Sequence, residues 1–162
     1  MWLDKQGCKT LCNPIRRAVS ADADRLTEST IAAKRHWTYP ENWIQLWLPQ
    51  LTITAEYISN HEVWMAMAED AAVGYYSLEH LSDELWLGNL WVLPEHMGQG
   101  IGRLLFEHTF ERSRRLGFSV LKIEADPNAQ SFYERMGARK VVEHHSEVFG
   151  QPRTLPVMEV AV

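Results

Sequence analysis

The segment WVLPEHMGQGIGRLL, residues 91–105, places three glycines at alternate positions between two apolar runs. The run before the glycines predicts a β-strand, and the run after them predicts an α-helix. The first turn of a helix leaves backbone N–H groups without partners at the positive end of the helix dipole. Glycines let a bulky anion approach these groups, so the segment predicts an anion site, most often one for phosphate. The alternative is a tight turn that binds nothing.

The spacing of these glycines separates the segment from two familiar phosphate loops. A dinucleotide-binding loop needs G-x-G-x-x-G, but Arg103 and Leu105 occupy the sixth positions counted from Gly98 and Gly100. A nucleoside triphosphate loop needs a lysine followed by serine or threonine, and no such pair follows the glycines. The segment therefore fits neither class of nucleotide enzyme.

A second segment, DPNAQSFYERMGARKV at residues 126–141, predicts a helix of about two turns. Phe132, Tyr133 and Met136 lie at helical spacing and form an apolar stripe. Asn128 is the residue expected to cap the start of this helix. Tyr133 belongs to the stripe, so a core tyrosine is one interpretation of it.

The remaining sequence alternates strand and helix patterns and predicts one α/β domain over residues 15–162, with residues 1–14 as an extension that need not be ordered. Gly88 interrupts a strand predicted at residues 84–92, which indicates a β-bulge or the close approach of a ligand. A further strand is predicted at residues 118–125, and two closing strands flank residues 150–152.

Composition narrows the class of protein. The 162 residues are 46% hydrophobic and 23% charged, with a net charge of −5, which disfavours a broad nucleic-acid-binding face. The sequence holds no apolar run long enough to span a bilayer and no signal-peptide pattern, so we expect a cytoplasmic protein. Cys8 and Cys12 are expected to be reduced thiols, and the seven scattered histidines predict no metal site.

Taken together, the two segments resemble the signatures of the GCN5-related N-acetyltransferases (GNAT family), particularly small bacterial members. The first resembles the family's apolar strand, proline and [RQ]-x-x-G-x-[GA] segment, and the second resembles its N-x-x-x-x-x-Y-x-x-x-G signature. The resemblance spans roughly residues 15–160. It implies a mixed, mostly antiparallel sheet with two splayed parallel strands in the middle and helices on both faces.

The resemblance also implies an acetyl-CoA-dependent N-acyltransferase and assigns roles to residues. Backbone groups of Leu90, Trp91 and Val92 would hold the pantetheine arm, and the Asn128 side chain would bond it. The pyrophosphate would lie on the loop. The residues of this loop that would bind the pyrophosphate are Met97, Gly98, Gln99, Gly100, Ile101, Gly102 and Arg103.

One loop position departs from the family pattern. Met97 stands where the family has arginine or glutamine, and a thioether cannot donate a hydrogen bond to phosphate. We expect weaker pyrophosphate binding rather than none, because the backbone donors from Gln99 to Arg103 remain, and the Arg103 side chain is a partial substitute. The departure also leaves open a catalytically silent acyl-CoA-binding or sensor module.

Two residues are expected to carry the proton transfers. The resemblance places Tyr133 at the position of the general acid that protonates the departing thiolate. Glu84 lies at the separation from Met97 where histone-type relatives have a catalytic glutamate, and it is the hypothesised base. The alternatives for Glu84 are an exposed carboxylate at the strand end or a water chain in place of a protein base.

The acceptor would be a primary amine of a small molecule or peptide. Two segments, residues 34–52 and 144–156, are expected to line its pocket. Trp37, Tyr39, Trp43 and Trp47 form either an aromatic wall for the acceptor or ordinary core packing. A homodimer is expected from the family, with no nucleic-acid or membrane partner and no metal.

Overall fold

The computed structural model describes residues 15–162, which fold around a seven-stranded sheet with helices on both faces. The expected extension, including Cys8 and Cys12, lies outside the described residues. The strands are β1 (Ile15–Arg17), β2 (Glu62–Ala68), β3 (Ala71–Leu81), β4 (Glu84–Val92), β5 (Val120–Glu124), β6 (Arg139–Val148) and β7 (Gln151–Ala161). The α-helices are α1 (Ala23–His36), α2 (Glu41–Leu51), α3 (Ala55–Asn60), α4 (Ile101–Arg115) and α5 (Gln130–Arg135).

The sheet order is β1-β2-β3-β4-β5-β7-β6, and every neighbouring pair is antiparallel except β4 and β5. That parallel pair is joined at only two positions, Trp86 with Lys122 and Leu87 with Ile123. Beyond Leu87 the two strands separate. The predicted architecture, a mostly antiparallel sheet with splayed parallel strands in its middle, is confirmed.

A β-bulge at Gly88 marks the point of separation. Ser77 of β3 pairs with Asn89, whereas Leu78 pairs with Leu87, so Gly88 is the extra residue on β4. Bulges bend a strand and increase its twist. The bulge predicted from an interior glycine is therefore present, and it follows directly on the last pair that β4 makes with β5.

The two faces of the sheet carry separate cores. Tyr76 of β3 packs in the cluster that contains Leu105 and Phe106 of α4, whereas Tyr75 packs in the cluster that contains Leu26 of α1. Because successive strand residues point to opposite faces, α4 covers one face and α1 the other. Among residues 15–162 no helix is both long enough and apolar enough to cross a membrane.

Candidate acyl-transfer site

A cavity of about 510 Å³ opens where β4 and β5 separate. Both strands line it, together with the loop before α4, helix α5, helix α1 and strand β7. The lining includes Lys34, Trp37, Leu87–Val92, Met97, Gly98, Gly102, Ile123–Asp126, Asn128, Tyr133, Arg135, Arg153 and Leu155. The cavity thus reaches both faces of the sheet, and the three β4 residues that the sequence assigned to the pantetheine arm lie in its wall.

The glycine loop presents backbone donors without acceptors. Gly98 and Gly100 have φ angles of +75° and +84°, which only glycine adopts without strain, and α4 begins at the next residue, Ile101. Within the described chain, the N–H groups of residues 98–103 have neither a backbone nor a side-chain acceptor, because the first bond of the helix runs from the Leu104 N–H to the Gly100 carbonyl. Such a row of donors fits an anion.

The side chains of this loop contribute little. Arg103 is exposed, and its Nε donates to Glu107 Oε1 at 2.7 Å, so its charge is already paired. Gln99 bonds the Glu95 carbonyl at 3.2 Å. Met97 lines the cavity, as the family position would require, but without a donor. The backbone is therefore the part of the loop that fits pyrophosphate.

Tyr133 belongs both to the core and to the cavity wall, and its role as the general acid stays a prediction. Its ring is buried and contacts Phe106 and Phe132, with centroids 5.4 and 5.2 Å away. Its hydroxyl has no hydrogen-bond partner among residues 15–162 and lies in the cavity wall, where it keeps accessible surface. Burial, and then the nearby Asp126 carboxylate, raise the pKa of Tyr133, so the phenol stays protonated.

Asn128 does not cap the helix as predicted. Asp126 is the cap: its side chain accepts the Asn128 N–H at 3.0 Å and starts a 3-10 turn at Pro127–Ala129, which leads into α5. The carboxylate of Asp126 can reach back to this N–H because it lies two residues earlier. The Asn128 amide donates to Asp126 Oδ1 at 2.9 Å and to the Tyr39 hydroxyl at 3.1 Å, while it also lines the cavity.

Glu84 is the first residue of β4, before the bulge at Gly88, and does not line the cavity. It forms an ion pair with Lys122 and accepts the Trp86 indole N–H at 3.1 Å. These two hydrogen bonds hold the pKa of Glu84 below its usual value. Its role as the base stays a prediction, and its position does not favour that role.

Sequence analysis missed a second carboxylate, Glu79 on β3. The Glu79 side chain lies against the bulge: a β-carbon added to Gly88 would come 2.3 Å from Glu79 Oε1. Tyr57 donates to the same oxygen at 2.5 Å, and burial together with this bond raises the pKa of Tyr57. Gly88 was the available signal, because an interior strand glycine can mark the close approach of another group.

A cluster of two cations and one carboxylate was also missed. The Lys34 ammonium lies 2.6 Å from Asp126 Oδ2, and Arg153 Nη2 lies 3.5 Å from the same oxygen. Burial alone would raise the pKa of Asp126, but Lys34, the Asn128 N–H and the Tyr39 hydroxyl outweigh it and lower that pKa. A lysine on the buried face of a predicted helix was the signal, because such a residue needs a counter-ion.

The four residues of the predicted aromatic segment lie in two places, one in the cavity wall and three in a packed cluster. Trp37 lies in the cavity wall. Tyr39, Trp43 and Trp47 pack on one another behind it, with ring centroids 5.1 to 6.0 Å apart, and Trp47 is buried. Within residues 15–162 no group of three or more potential metal ligands comes together.

Comparisons with known proteins agree with this geometry. A sequence model of the acetyltransferase (GNAT) domain matches residues 59–137. The chain is similar to the peptidyl-lysine N-acetyltransferase YjaB of Salmonella typhimurium, with 27% identity over 106 residues, which cover 64% of this chain and 68% of that protein.

Two solved structures share the fold. A GCN5-related N-acetyltransferase from Rhodopseudomonas palustris superposes with a TM-score of 0.78 at 20% identity, covering 96% of this chain and 100% of that one. YncA, a putative acetyltransferase from Salmonella typhimurium solved with acetyl-CoA, gives a TM-score of 0.67 at 22% identity, covering 91% and 92%. The glycine loop, the bulge and α5 all lie inside the matched residues 59–137.

Proposed function

Because this chain is a member of the GCN5-related N-acetyltransferase family, we propose that it transfers the acetyl group of acetyl-CoA to a primary amine of a small molecule or peptide. The transfer would be a direct attack by the amine in a ternary complex. The observation that carries the proposal is the cavity that joins the glycine loop to the gap between β4 and β5. Acetyl-CoA would supply an acetyl thioester, and the amine would enter from the α1 face.

The chain offers two sets of backbone donors and acceptors for acetyl-CoA. The unpaired N–H groups from Gly98 to Arg103 would hold the pyrophosphate, with Met97 and Gly102 against it. On β4, the edge that faces β5 has no partner strand beyond Leu87 in the described sheet. Backbone groups of Leu90, Trp91 and Val92 there would bind the pantetheine arm and polarise the thioester carbonyl. The Asn128 amide lies in the same wall.

Tyr133 is the proposed general acid. Its hydroxyl is unpartnered in the described residues, faces the cavity and remains protonated because burial raises its pKa. A departing thiolate, with a thiol pKa of about 8.5, would take its proton. The aromatic contacts with Phe106 and Phe132 hold the ring in place, so core packing and catalysis use the same side chain.

Glu79 is the proposed acceptor of the amine's proton, directly or through one water. Its carboxylate lies beside Gly88, where β4 leaves β5, and the Tyr57 hydroxyl orients it. Glu124 is the alternative, because it lines the cavity and bonds His144 Nδ1 at 2.8 Å. Glu84 is the third hypothesis: neither it nor Glu79 is among the residues that line the cavity, but the Glu84 carboxylate is already paired with Lys122.

A catalytically silent acyl-CoA-binding module is the second candidate, and Met97 is the observation that favours it.

Calorimetric titration with acetyl-CoA, free CoA and NAD tests the binding site, and release of free thiol over a panel of amines tests catalysis. We expect micromolar binding of both CoA species, about −8 kcal/mol, no binding of NAD, and thiol release with at least one amine. Binding without thiol release for any amine would favour the silent module, and no binding would contradict both candidates.

A further inference from the structure

Arg153 of β7 brings more hydrogen-bond donors into the cavity wall than its protein neighbours engage. Its side chain is 14% exposed and lies in the cavity wall. Its polar neighbours are Asp126, at 3.5 Å, and the Tyr39 hydroxyl, to which it donates, so these two contacts engage only part of the guanidinium. A guanidinium carries five N–H donors in a planar fork that matches a carboxylate. The donors that Asp126 and Tyr39 do not engage are therefore available to a ligand.

The charges around Arg153 do not balance. Lys34 and Arg153 are two cations, and both face the single carboxylate of Asp126. Asp126 forms its shorter ion pair with Lys34, at 2.6 Å, whereas Arg153 lies 3.5 Å from the same oxygen. The formal sum is +1, from two cations and one anion. Over the whole cavity wall the formal sum is also +1, because the three cations Lys34, Arg135 and Arg153 face the two carboxylates Asp126 and Glu124. An anion bound beside Arg153 would complete the balance.

The surroundings of Arg153 suit a small organic anion. The guanidinium lies over the ring of Trp47, 4.7 Å from its centroid, so one of its faces is already packed. Trp37, Trp91 and Leu155 line the cavity nearby and lower the local polarity. A charge-assisted hydrogen bond is stronger in such surroundings than in water.

The cluster lies on the acceptor side of the sheet. Lys34 belongs to α1 and Trp47 to α2, whereas the glycine loop begins α4, which covers the opposite face. An anion at Arg153 would therefore belong to the amine acceptor and not to the pyrophosphate of the proposed co-substrate.

We propose that Arg153, held by Asp126 and Trp47, binds a carboxylate on the acceptor, so that the acceptor is a small amine that carries a carboxylate, such as an amino acid. The inference rests on the proposed acetyl transfer. It deepens that function by predicting that the enzyme prefers amines that carry a carboxylate over polyamines and other amines that carry none.

The test compares pairs of acceptors that share one amine-bearing skeleton and differ in whether they carry a carboxylate, with kcat/KM expressed per neutral amine. Thiol release is measured with a series of amino acids and with the amide of each one, which keeps the amine and removes the carboxylate. We expect wild-type kcat/KM to be about 10- to 100-fold higher for the acids. Arg153→Met should abolish this preference, mainly through KM, while calorimetry shows unchanged acetyl-CoA binding. Arg153→Lys should restore part of it.

Arg135→Met is the matched control, because it removes another arginine of the cavity wall and should keep the preference for acids. Equal rates for acids and amides with the wild-type protein would overturn the inference and leave acetyl transfer intact. Faster rates with phosphonate or sulfonate analogues would overturn the choice of a carboxylate. If Arg153→Met does not fold, the wild-type comparison still decides. Absence of thiol release with every amine would contradict the proposed function itself.

Discussion

Tyr133 shows how one side chain can belong to the core and to the cavity. Its ring is packed against Phe106 and Phe132, and only its hydroxyl has no partner among the described residues. A buried phenol normally finds a hydrogen bond, because leaving it unpaired costs about 1–3 kcal/mol. The Tyr133 hydroxyl avoids this cost because it keeps accessible surface, so it can bond water or a ligand in the cavity.

Tyr133→Phe removes this hydroxyl and keeps the ring contacts. We expect kcat to fall on the order of 10²-fold, because the thiolate must then leave without a proton donor, while the affinity for acetyl-CoA is unchanged. Steady-state rates and calorimetry measure the two quantities. An unchanged kcat would remove Tyr133 from the mechanism. Phe132→Leu is a control for the packing of the aromatic cluster.

Three glutamine substitutions separate the candidate bases: Glu79→Gln, Glu124→Gln and Glu84→Gln. We expect Glu79→Gln to lower kcat/KM at pH 7 by about 10²-fold. This difference in kcat/KM between the wild type and Glu79→Gln should become smaller as the pH rises towards about 10, where an alkylamine loses its proton without a base. Glu84→Gln should leave the pH–rate profile unchanged, because Glu84 is paired with Lys122 outside the cavity. A profile changed only by Glu124→Gln or only by Glu84→Gln would contradict the assignment.

At the scale of an element, the start of α4 is the part of the chain that best suits an anion. Gly98 and Gly100 are required by their positive φ angles, but Gly102 is not. A β-carbon added to Gly102 would lie 3.5 Å from Phe132, an ordinary contact. Glycine in a helix costs about 1 kcal/mol relative to alanine. Its presence in the cavity wall therefore indicates room kept for a ligand.

Gly102→Ala should consequently change stability and binding in opposite directions. We expect the free energy of unfolding to rise by about 0.5–1 kcal/mol, because alanine is the better helix former. Acetyl-CoA should bind several-fold more weakly, because the methyl group occupies the cavity. Urea denaturation and calorimetry measure the two effects. Tighter or unchanged binding would show that the pyrophosphate does not lie against this turn.

At the scale of the whole molecule, Asp126 ties together parts of the chain that are far apart in sequence. It follows β5 and contacts Lys34 of α1, Tyr39 between α1 and α2, and Arg153 of β7. Lys34 and Asp126 are 92 residues apart, and their side chains are only 7% and 13% exposed. Removal of one charge from such a buried pair leaves the other without compensation.

Asp126→Asn keeps the cap of the turn but removes the charge. We expect the free energy of unfolding to fall by about 3–5 kcal/mol at pH 7, because Lys34 is left buried without a counter-ion. The folded-state pKa of Asp126 is lowered, so its stabilising effect is present above the unfolded pKa of about 3.9 and is lost as the pH falls through the folded value. The difference between wild type and variant should therefore narrow below about pH 4.

Asp22→Asn is the matched control for this prediction. Asp22 accepts hydrogen bonds from both terminal nitrogens of the Arg16 guanidinium at 3.0 Å, but Arg16 is 42% exposed and can be solvated when the pair is broken. Asp22→Asn should therefore lower the free energy of unfolding by less than Asp126→Asn does. Equal losses would show that burial of Lys34 does not decide the energetics.

The expected homodimer is also a property of the whole molecule. Strand β6 lies at the edge of the sheet, and the large apolar side chains Val141, Val142 and Phe149 are exposed on it and on the turn that follows. Exposed edge strands are frequent sites of self-association. Light scattering should give twice the chain mass, and Val142→Lys should reduce it towards the monomer. A monomer at all concentrations would contradict the expectation.

Short-range patterns in the sequence were enough to predict the strand, loop and helix around the three glycines. The positive φ angles of Gly98 and Gly100, the free N–H groups of α4 and the bulge at Gly88 depend on a few neighbouring residues and their backbone preferences. The order of these elements, through the resemblance that they carry, also predicted the splayed sheet. The helix cap was misplaced by two residues, because Asp126 and Asn128 are both good caps.

Tertiary structure alone decided which charged groups share the cavity. Glu84 was assigned to the correct strand, but its pairing with Lys122 depends on the register between β4 and β5. Glu79 reaches Gly88 across an antiparallel pair, and Lys34 meets Asp126 and Arg153 only after helix α1 packs on the sheet. Local preferences carry no information about such contacts, because the low-dielectric interior that makes them strong exists only once distant segments have packed together.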